Sequence, residues 1–592
     1  MSNESSVPTP ATPDVCTAAL LVEGQEISGQ FQILSIVVTR ELNRIPSATF
    51  QLQDGDAAKA SFAASDAQHF IPGKSVEIRL GYRSQNSSVF RGVITRHSVR
   101  IRQQGSQLNI ECRDPAFRMT HGLHNRFHNS PKDSDIMEKL IKAHGLQAEV
   151  TATQPELQAV PQYETSDWDF LLCRAEANGM VVRVEDGKLR IAPPAADGQA
   201  ALSLRYGAAI LELDAEIDAR WQSKGVKASA WDPGAQERLE ADAQEPSLSA
   251  AGNLSPADLA QASGDEVQEI RHGGRLKQAE LQAWADARLL KERLAKIRGR
   301  ARCQGFAGIL PGDLLEITGI GQRFAGKLYV SGVRHHLAGG NWETDVQFGL
   351  NPELFAAAYN LRPLPAAGLL AGVSGLQTGI VAALEKDPDG EGRIQVRLPL
   401  ADNADGDTGA GVWARLATLA ASKGYGAIFR PDVGDEVVVG FLHDDPRQPV
   451  ILGMCHSSAR PAPEPAADDN FRKGYLSREQ LRLSFDDEKK TITLETPAGN
   501  KLTLSEDAKA VLIADQNGNK ITLNADGVSI ESSKDLLLKA SGDLKIEAVN
   551  ADLKAKAAVK LEAKASAEIS AASATLKGSA TTVIQGGVVQ IN

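Results

Sequence analysis

The chain has 592 residues, 42% of them hydrophobic and 23% charged, and a formal net charge of −11. That length is too great for one core and divides into about three to five domains. The acidic balance excludes a sustained grip on a phosphate backbone, so nucleic acid is set aside as a partner.

Residues 1–17 read as a flexible tail rich in Pro, Ser and Thr. They have no basic leader, and no stretch of the chain approaches a membrane span. Synthesis in the cytoplasm, without a signal peptide or transmembrane segment, is therefore expected. The five cysteines (Cys16, Cys112, Cys173, Cys303, Cys455) stand far apart and never form C-x-x-C, which fits a reducing compartment and no disulfide or zinc framework.

Over residues 18–115, "FQILSIVVTRE", "SATFQLQDGD", "SVEIRLGYR", "SVFRGVITRHSVRI" and "QLNIECRD" are β-rich runs bounded by turn residues. They predict a barrel or a strongly bent sheet. Segment 116–200 is mixed α/β: "DSDIMEKLIKAHGL" and "SDWDFLLCRAEANG" start at Ser/Asp and end at Gly, as helices do, and "MVVRVEDGKLRIAPP" is a hairpin around Asp186-Gly187. Residues 201–360 predict a second barrel resembling the first, interrupted by a polar, poorly ordered insertion at about 234–275 and a long helix in "RLKQAELQAWADARLLKERLAKIRGRARC". The linker 361–375 leads to five short strands over 376–458, a small Greek-key barrel of OB type. A second linker, 459–474, follows.

From 475 to 592 the composition changes: Phe485 is the last aromatic, Pro497 the last proline, and His and Cys are absent. "TPAGNKLTL" (496–504) and "DQNGNKITL" (515–523) repeat a Gly-Asn turn before an alternating strand, with Gly499 and Gly518 expected at positive φ. In "VNADLKAKAAVKLEAKASAEISA" (549–571) the Ala/Lys/Glu content favours helix, yet every odd position is apolar. Period two is a geometric constraint and outweighs propensity. An isolated chain would leave this apolar row uncovered and its edges unpaired, whereas three identical chains wound about an axis cover both. Alanine then suits the small radius at the axis. The interior row is Val549, Leu553, Val559, Leu561 and Ile569, and the product is a rigid homotrimeric needle.

"SIVVTRELNRIPSATFQLQDGD" (35–56), "FIPGKSVEIRLGY" (70–82), "CRDPAFRMT" (112–120) and "VPQYETSDWDFLLCRAEANGM" (160–180) resemble the hub region of the VgrG spike family of contractile injection systems. So do "YVSGVRHHLAGGNWETDVQFGL" (329–350) and "GYGAIFRPDVGDEVVVGFLHDDPRQPVILG" (424–453). The likeness runs from about residue 20 to the C-terminus. It implies a mainly β fold: duplicated hub barrels with a few helices, an OB-type barrel and a triple-stranded intertwined β-helix. It also implies a homotrimer on the inner tube and baseplate, a PAAR-repeat tip protein, effector cargo, and mechanical puncture of a target envelope. The compact N-terminus, "NRIPSA" and "DWDF" look closer to extracellular phage-tail-like particles than to type VI systems. The other readings weighed are a β-helical surface adhesin and an effector enzyme.

Four stretches carry residue types that could do chemistry. His121, His124 and His128, and the adjacent His335 and His336, read as core or surface histidines rather than metal ligands, since no acidic second layer is evident. "GIGQRF" (319–324) precedes a strand, so it reads as a turn and not a phosphate loop. Asp402, Asp405 and Asp407 lack EF-hand spacing and read as a solvated loop. "HDDPRQP" (443–449) reads as hydrogen bonding between protomers. No motif sets a nucleophile beside a base; neither enzymatic activity nor a cofactor is expected.

Overall fold

The computed structural model describes residues 15–591 except 28, 104, 130, 131, 158, 250 and 402–410. The Asp402–Asp405–Asp407 loop and residues 1–14 of the expected tail thus lie outside the described residues. The chain divides into two compact units that part between Met454 and Cys455.

In the first unit a 13-stranded sheet dominates. It starts at Cys16–Val22, inside the segment read as a tail, because Leu20 and Val22 are buried against Ser75–Tyr82, to which this strand pairs antiparallel. Alternation sorts Ile36, Val38, Phe50, Ile78, Phe90 and Ile110 into a first core. A second core gathers Leu204, Ala301, Ile317, Val330, Val346 and Phe348. The expected duplication takes the form of two sheet halves with separate cores. They join where Ile33–Glu41 pairs with Gly326–Ala338, from Gly332↔Glu41 to Ala338↔Ser35. Edges that would close two barrels are spent on each other.

Both expected helices form, at Asp133–Ala143 and Asp167–Ala177. Ser166 caps the second, its side chain accepting from the Asp169 N–H at 3.1 Å. Asp133 caps nothing; its buried carboxylate takes a bidentate pair from Arg174 at 2.7 and 2.8 Å. The Asp186-Gly187 hairpin has φ of 53° and 79°, the two left-handed residues of a tight turn.

The insertion is ordered, contrary to expectation. Gly225–Asp232 pairs with Glu237–Asp242 and with Val267–His272, and Pro256–Ala262 is a helix with a Ser255/Asp258 capping box. Helix Gln278–Leu294 lays Leu281 and Ala285 on Ala228, Ala230 and Ala241. Small side chains let helix and sheet approach closely, and that packing offsets the polar composition.

After the linker, Gln377–Ala383, Ile394–Arg397, Val412–Leu416, Glu436–Phe441 and Pro449–Met454 close a five-stranded barrel around Val381, Ile394, Val396, Val437, Val439 and Ile451. It is the only closed barrel among the described residues. Among those residues no helix is long and apolar enough to cross a membrane.

In the second unit, seven strands from Arg472–Leu476 to Gly527–Glu531 form an antiparallel meander. Residues 532–591 follow without paired strands. The expected winding from residue 475 is therefore replaced, within one chain, by hairpin pairing as far as Glu531.

Candidate functional site

The meander is amphipathic to an unusual degree. Its register strings Tyr475, Leu483, Leu494, Leu502, Ile513, Ile521 and Ile530 into one row across all seven strands. Two residues along each strand, Phe485, Ile492, Leu504, Val511, Leu523 and Val528 make a second row on the same face. Apart from Ala510, Leu512 and Ala514, the strands of the middle of the sheet turn polar residues to the opposite face, with Thr491 and Ser505 hydrogen-bonded at 2.8 Å.

Nothing within the unit covers the apolar face. Among its described residues none is buried, and Leu494 is 54%, Ile513 47% and Val528 68% exposed. Covering the open half of one such side chain is worth about 1 kcal/mol, so thirteen of them represent on the order of 10 kcal/mol per chain left ungained. A lone meander of this kind is both unstable and adhesive.

The five residues read as an axial row stand further along, in 532–591. Val549, Leu553, Val559, Leu561 and Ile569 are between 60% and 99% exposed, and none lies in a paired strand. The backbone bends at 533–534, 541–542, 549, 556–557, 564–565, 572–573, 579–580 and 587–588, once every seven or eight residues. Two of these bends fall inside the unbroken 549–571 alternation. Side-chain parity is blind to a bend that keeps the inside-outside sense.

Gly499 and Gly518 turn at φ of 95° and 88°. Beside each, an asparagine ties one turn to the next. Asn500 Oδ1 accepts the Gln516 N–H at 3.3 Å. Asn519 Oδ1 accepts Ser532 Oγ–H and the Ser533 N–H, both at 2.9 Å, and its Nδ2 donates to Asp515 at 2.8 Å. Asn519, with the neighbouring backbone, holds the exposed Asp515 carboxyl down at about 2. The ladder carries the turn stacking past the last paired strand.

Sequence reasoning missed the two-row face. Its signal was legible: the pairs "LSF", "ITL", "LTL", "VLI", "ITL" and "VSI" recur between turn residues.

His121, His124, His128, His144 and His335 pack against or pair with neighbouring side chains. Asp167, buried, accepts from His144 at 2.8 Å, Gln162 at 2.9 Å and Arg126 at 3.2 Å, with His124 at 3.8 Å. Burial acts to raise its carboxyl, but those hydrogen bonds and charges outweigh it and hold the group below the usual range. His128 stacks on Phe170 and His121 edges onto Phe117. His335 shares a hydrogen bond with Thr344 at 3.1 Å, and burial pushes it down to about 3. Among the described residues no group of three or more His, Cys, Asp or Glu is placed to hold a metal. Gly319 and Gly321 hold a left-handed turn before the strand Gly326–Ala338.

Within one chain, "HDDPRQP" makes three side-chain contacts. Asp445 pairs with Arg447, Asp444 accepts from Ser374 Oγ–H at 3.1 Å, and His443 lies 3.6 Å from Glu164. These groups fasten the linker and the small barrel to the hub. A cleft of the hub of about 410 Å³ is lined by charges already engaged: Lys291 with Glu176, Arg44 with Glu41, Arg298 with Glu216.

The chain combines a split hub sheet, a closed five-stranded barrel and an amphipathic strand-rich tail, and residues 377–456, which hold that barrel, match the type VI secretion system/phage-baseplate injector OB domain. Residues 12–339, more than half the chain, match the family described as the Alg8 N-terminal domain, and the chain belongs to that family. Its relatives include VgrG spike proteins of type VI secretion. VgrG1b of Pseudomonas aeruginosa is 27% identical over 192 residues, covering 31% of this chain and 25% of the relative. VgrG4b of the same organism is 38% identical over 112 residues, 18% of this chain and 13% of the relative. The chain thus spans a quarter or less of the length of these relatives. Among solved structures, the 43 kDa tail protein of prophage MuSo2 from Shewanella oneidensis is 13% identical with a TM-score of 0.43, covering 57% of this chain and 98% of that one.

Proposed function

We propose that this protein is the central spike, hub and needle together, of a contractile injection system. The observation that carries the reading is the thirteen-residue apolar face of the meander, continued by regularly bent, exposed chain, which has no partner in a single copy. Three copies wound about one axis cover both stretches, pair the free backbone and make a stiff prism. The hub seats this trimer on the inner tube and baseplate, and a PAAR-repeat protein sharpens the tip. Its work is mechanical: it pierces an envelope and carries effectors, without catalysis of its own. It acts in an extracellular phage-tail-like particle, released from the cytoplasm where it was made.

The test is removal of the chain from cells that assemble sheathed particles. The expected result is loss of complete particles, with three copies per particle in the unmodified strain. Intact, active particles lacking the protein overturn the proposal.

A further inference from the structure

The small barrel hangs from the hub on residues 349–376, between strands Asn341–Phe348 and Gln377–Ala383. The first part of this stretch is pinned to the hub. Arg288 donates to the Pro352 carbonyl at 2.8 Å, the Phe355 N–H to Glu176 at 2.8 Å, and Arg44 to the Tyr359 hydroxyl at 2.9 Å. The last part is pinned to the barrel. The Val373 N–H donates to the Asp444 carbonyl at 2.8 Å, and Ser374 Oγ–H to the Asp444 carboxylate at 3.1 Å. Residues 362–365, between the two sets of pins, are exposed.

Where the linker meets the barrel, both backbones are strained. Ala366, Ala367 and Gly368 stand at φ of 52°, 51° and 76°, and His443 and Asp444 at 55° and 56°. Residues other than glycine visit this left-handed region singly and at a cost, not in succession. Alanine has no polar side chain to steady it there. The two turns, Pro365–Gly368 and Leu442–Asp444, pack against each other. Gly372 closes the contact: a Cβ on it would stand 2.4 Å from the Pro365 Cβ and 3.3 Å from the Asp444 Cβ. On the hub side, a register break between Gln162 and Thr165 throws out Glu164, itself at φ of 43°, to meet His443 at 3.6 Å. Strain of this kind persists where neighbouring structure holds it, and it gathers at elements that switch.

We infer that this junction is a releasable catch between hub and barrel. Closed, it seats the barrel on the hub with both left-handed turns held by each other. Open, it lets both turns relax and leaves the barrel tethered by residues 360–376, which span roughly 55 Å when extended. The inference rests on the spike reading given above and deepens it. A push keeps the two turns pressed together, whereas a pull arriving through the chain loads the Val373–Asp444 and His443–Glu164 contacts. The needle can thus part from the hub without leaving the chain.

The experiment is amide exchange of the full chain, read by mass spectrometry. The Val373 N–H reports the catch, and the Val381 N–H, bonded to the Asp435 carbonyl at 3.0 Å in the barrel core, is the reference. In the parent, Val373 is expected to exchange at least about tenfold faster than Val381, because the catch opens without unfolding the barrel. Ala367→Gly removes an exposed methyl and relieves the left-handed turn. It should slow Val373 about threefold or more, although glycine's freedom in the open state works the other way. Gly372→Ala drives a methyl between Pro365 and Asp444 and should speed Val373 by at least as much. Val381 stays unchanged in both. Val373 exchanging in step with Val381 in the parent, or unmoved by both substitutions, overturns the catch. The native mass of the same samples separates the two readings: a monomer whose Val373 responds as described overturns the trimer and leaves the catch standing.

Discussion

Consider Leu494→Asp. Leu494 lies in the middle of the first apolar row, between Leu483 and Leu502, and is 54% exposed in one chain. In a lone subunit the change costs little, because an aspartate there reaches water. In the proposed trimer the open half of the leucine is covered, worth about 1 kcal/mol, and the carboxylate that replaces it must be desolvated without a partner, at several kcal/mol. The sum is on the order of 3–5 kcal/mol per chain, or roughly 10 kcal/mol per trimer, enough to dissociate it at micromolar concentration. Ser529→Asp, on the polar face and exposed, is the matched control. Sedimentation of the two full-length variants side by side reads the result. Leu494→Asp is expected to sediment as a monomer and Ser529→Asp as the parent does. Equal behaviour of the two variants refutes the assignment of the apolar face to the trimer interior.

Leu561→Asp in the distal stretch is expected to act in the same direction, with raised protease sensitivity of residues 532–591 as its measure. Asn519→Ala removes the acceptor for Ser532 and Ser533, and should cost about 1–2 kcal/mol in the thermal stability of the tail. Arg174→Ala leaves the buried Asp133 without its bidentate partner, and a loss of about 3–5 kcal/mol in denaturant unfolding of the hub is expected. His335 is held neutral, at about 3 in the fold against an ordinary 6.5. Its folded value is the lower one, so the unfolded state takes up the proton first as pH falls. Its contribution to stability is complete above pH 6.5 and declines by up to about 1.4 kcal/mol per pH unit between 6.5 and 3. His335→Gln should lose that part of the slope in denaturant midpoints taken between pH 7 and 5.

Legibility in the sequence followed the range of the forces involved. Strands such as "FQILSIVVTRE" and the Asp186-Gly187 hairpin announce themselves because alternation and turn chemistry are local. The joining of two hub halves into one sheet was hidden, since Ile33–Glu41 and Gly326–Ala338 meet across some three hundred residues and nothing in either names the other. The 234–275 insertion looked disordered because the core it joins is largely alanine (Ala228 and Ala230 before it, Ala241 within it), whose packing value depends on a helix approaching from residue 278 onward. In the tail, parity located the exposed apolar series from Val549 to Ile569 but passed over the bends at 556–557 and 564–565. The two-row face from Tyr475 to Ile530 needed strand register, which a sequence supplies only once the hairpins are counted.

The central claim is that residues 472–591 are half of nothing alone and complete as three. Native mass spectrometry of the purified full chain tests it most directly. The account predicts a particle of three times the 63.1 kDa chain mass that survives dilution. A single 63.1 kDa subunit with a protease-resistant tail contradicts it.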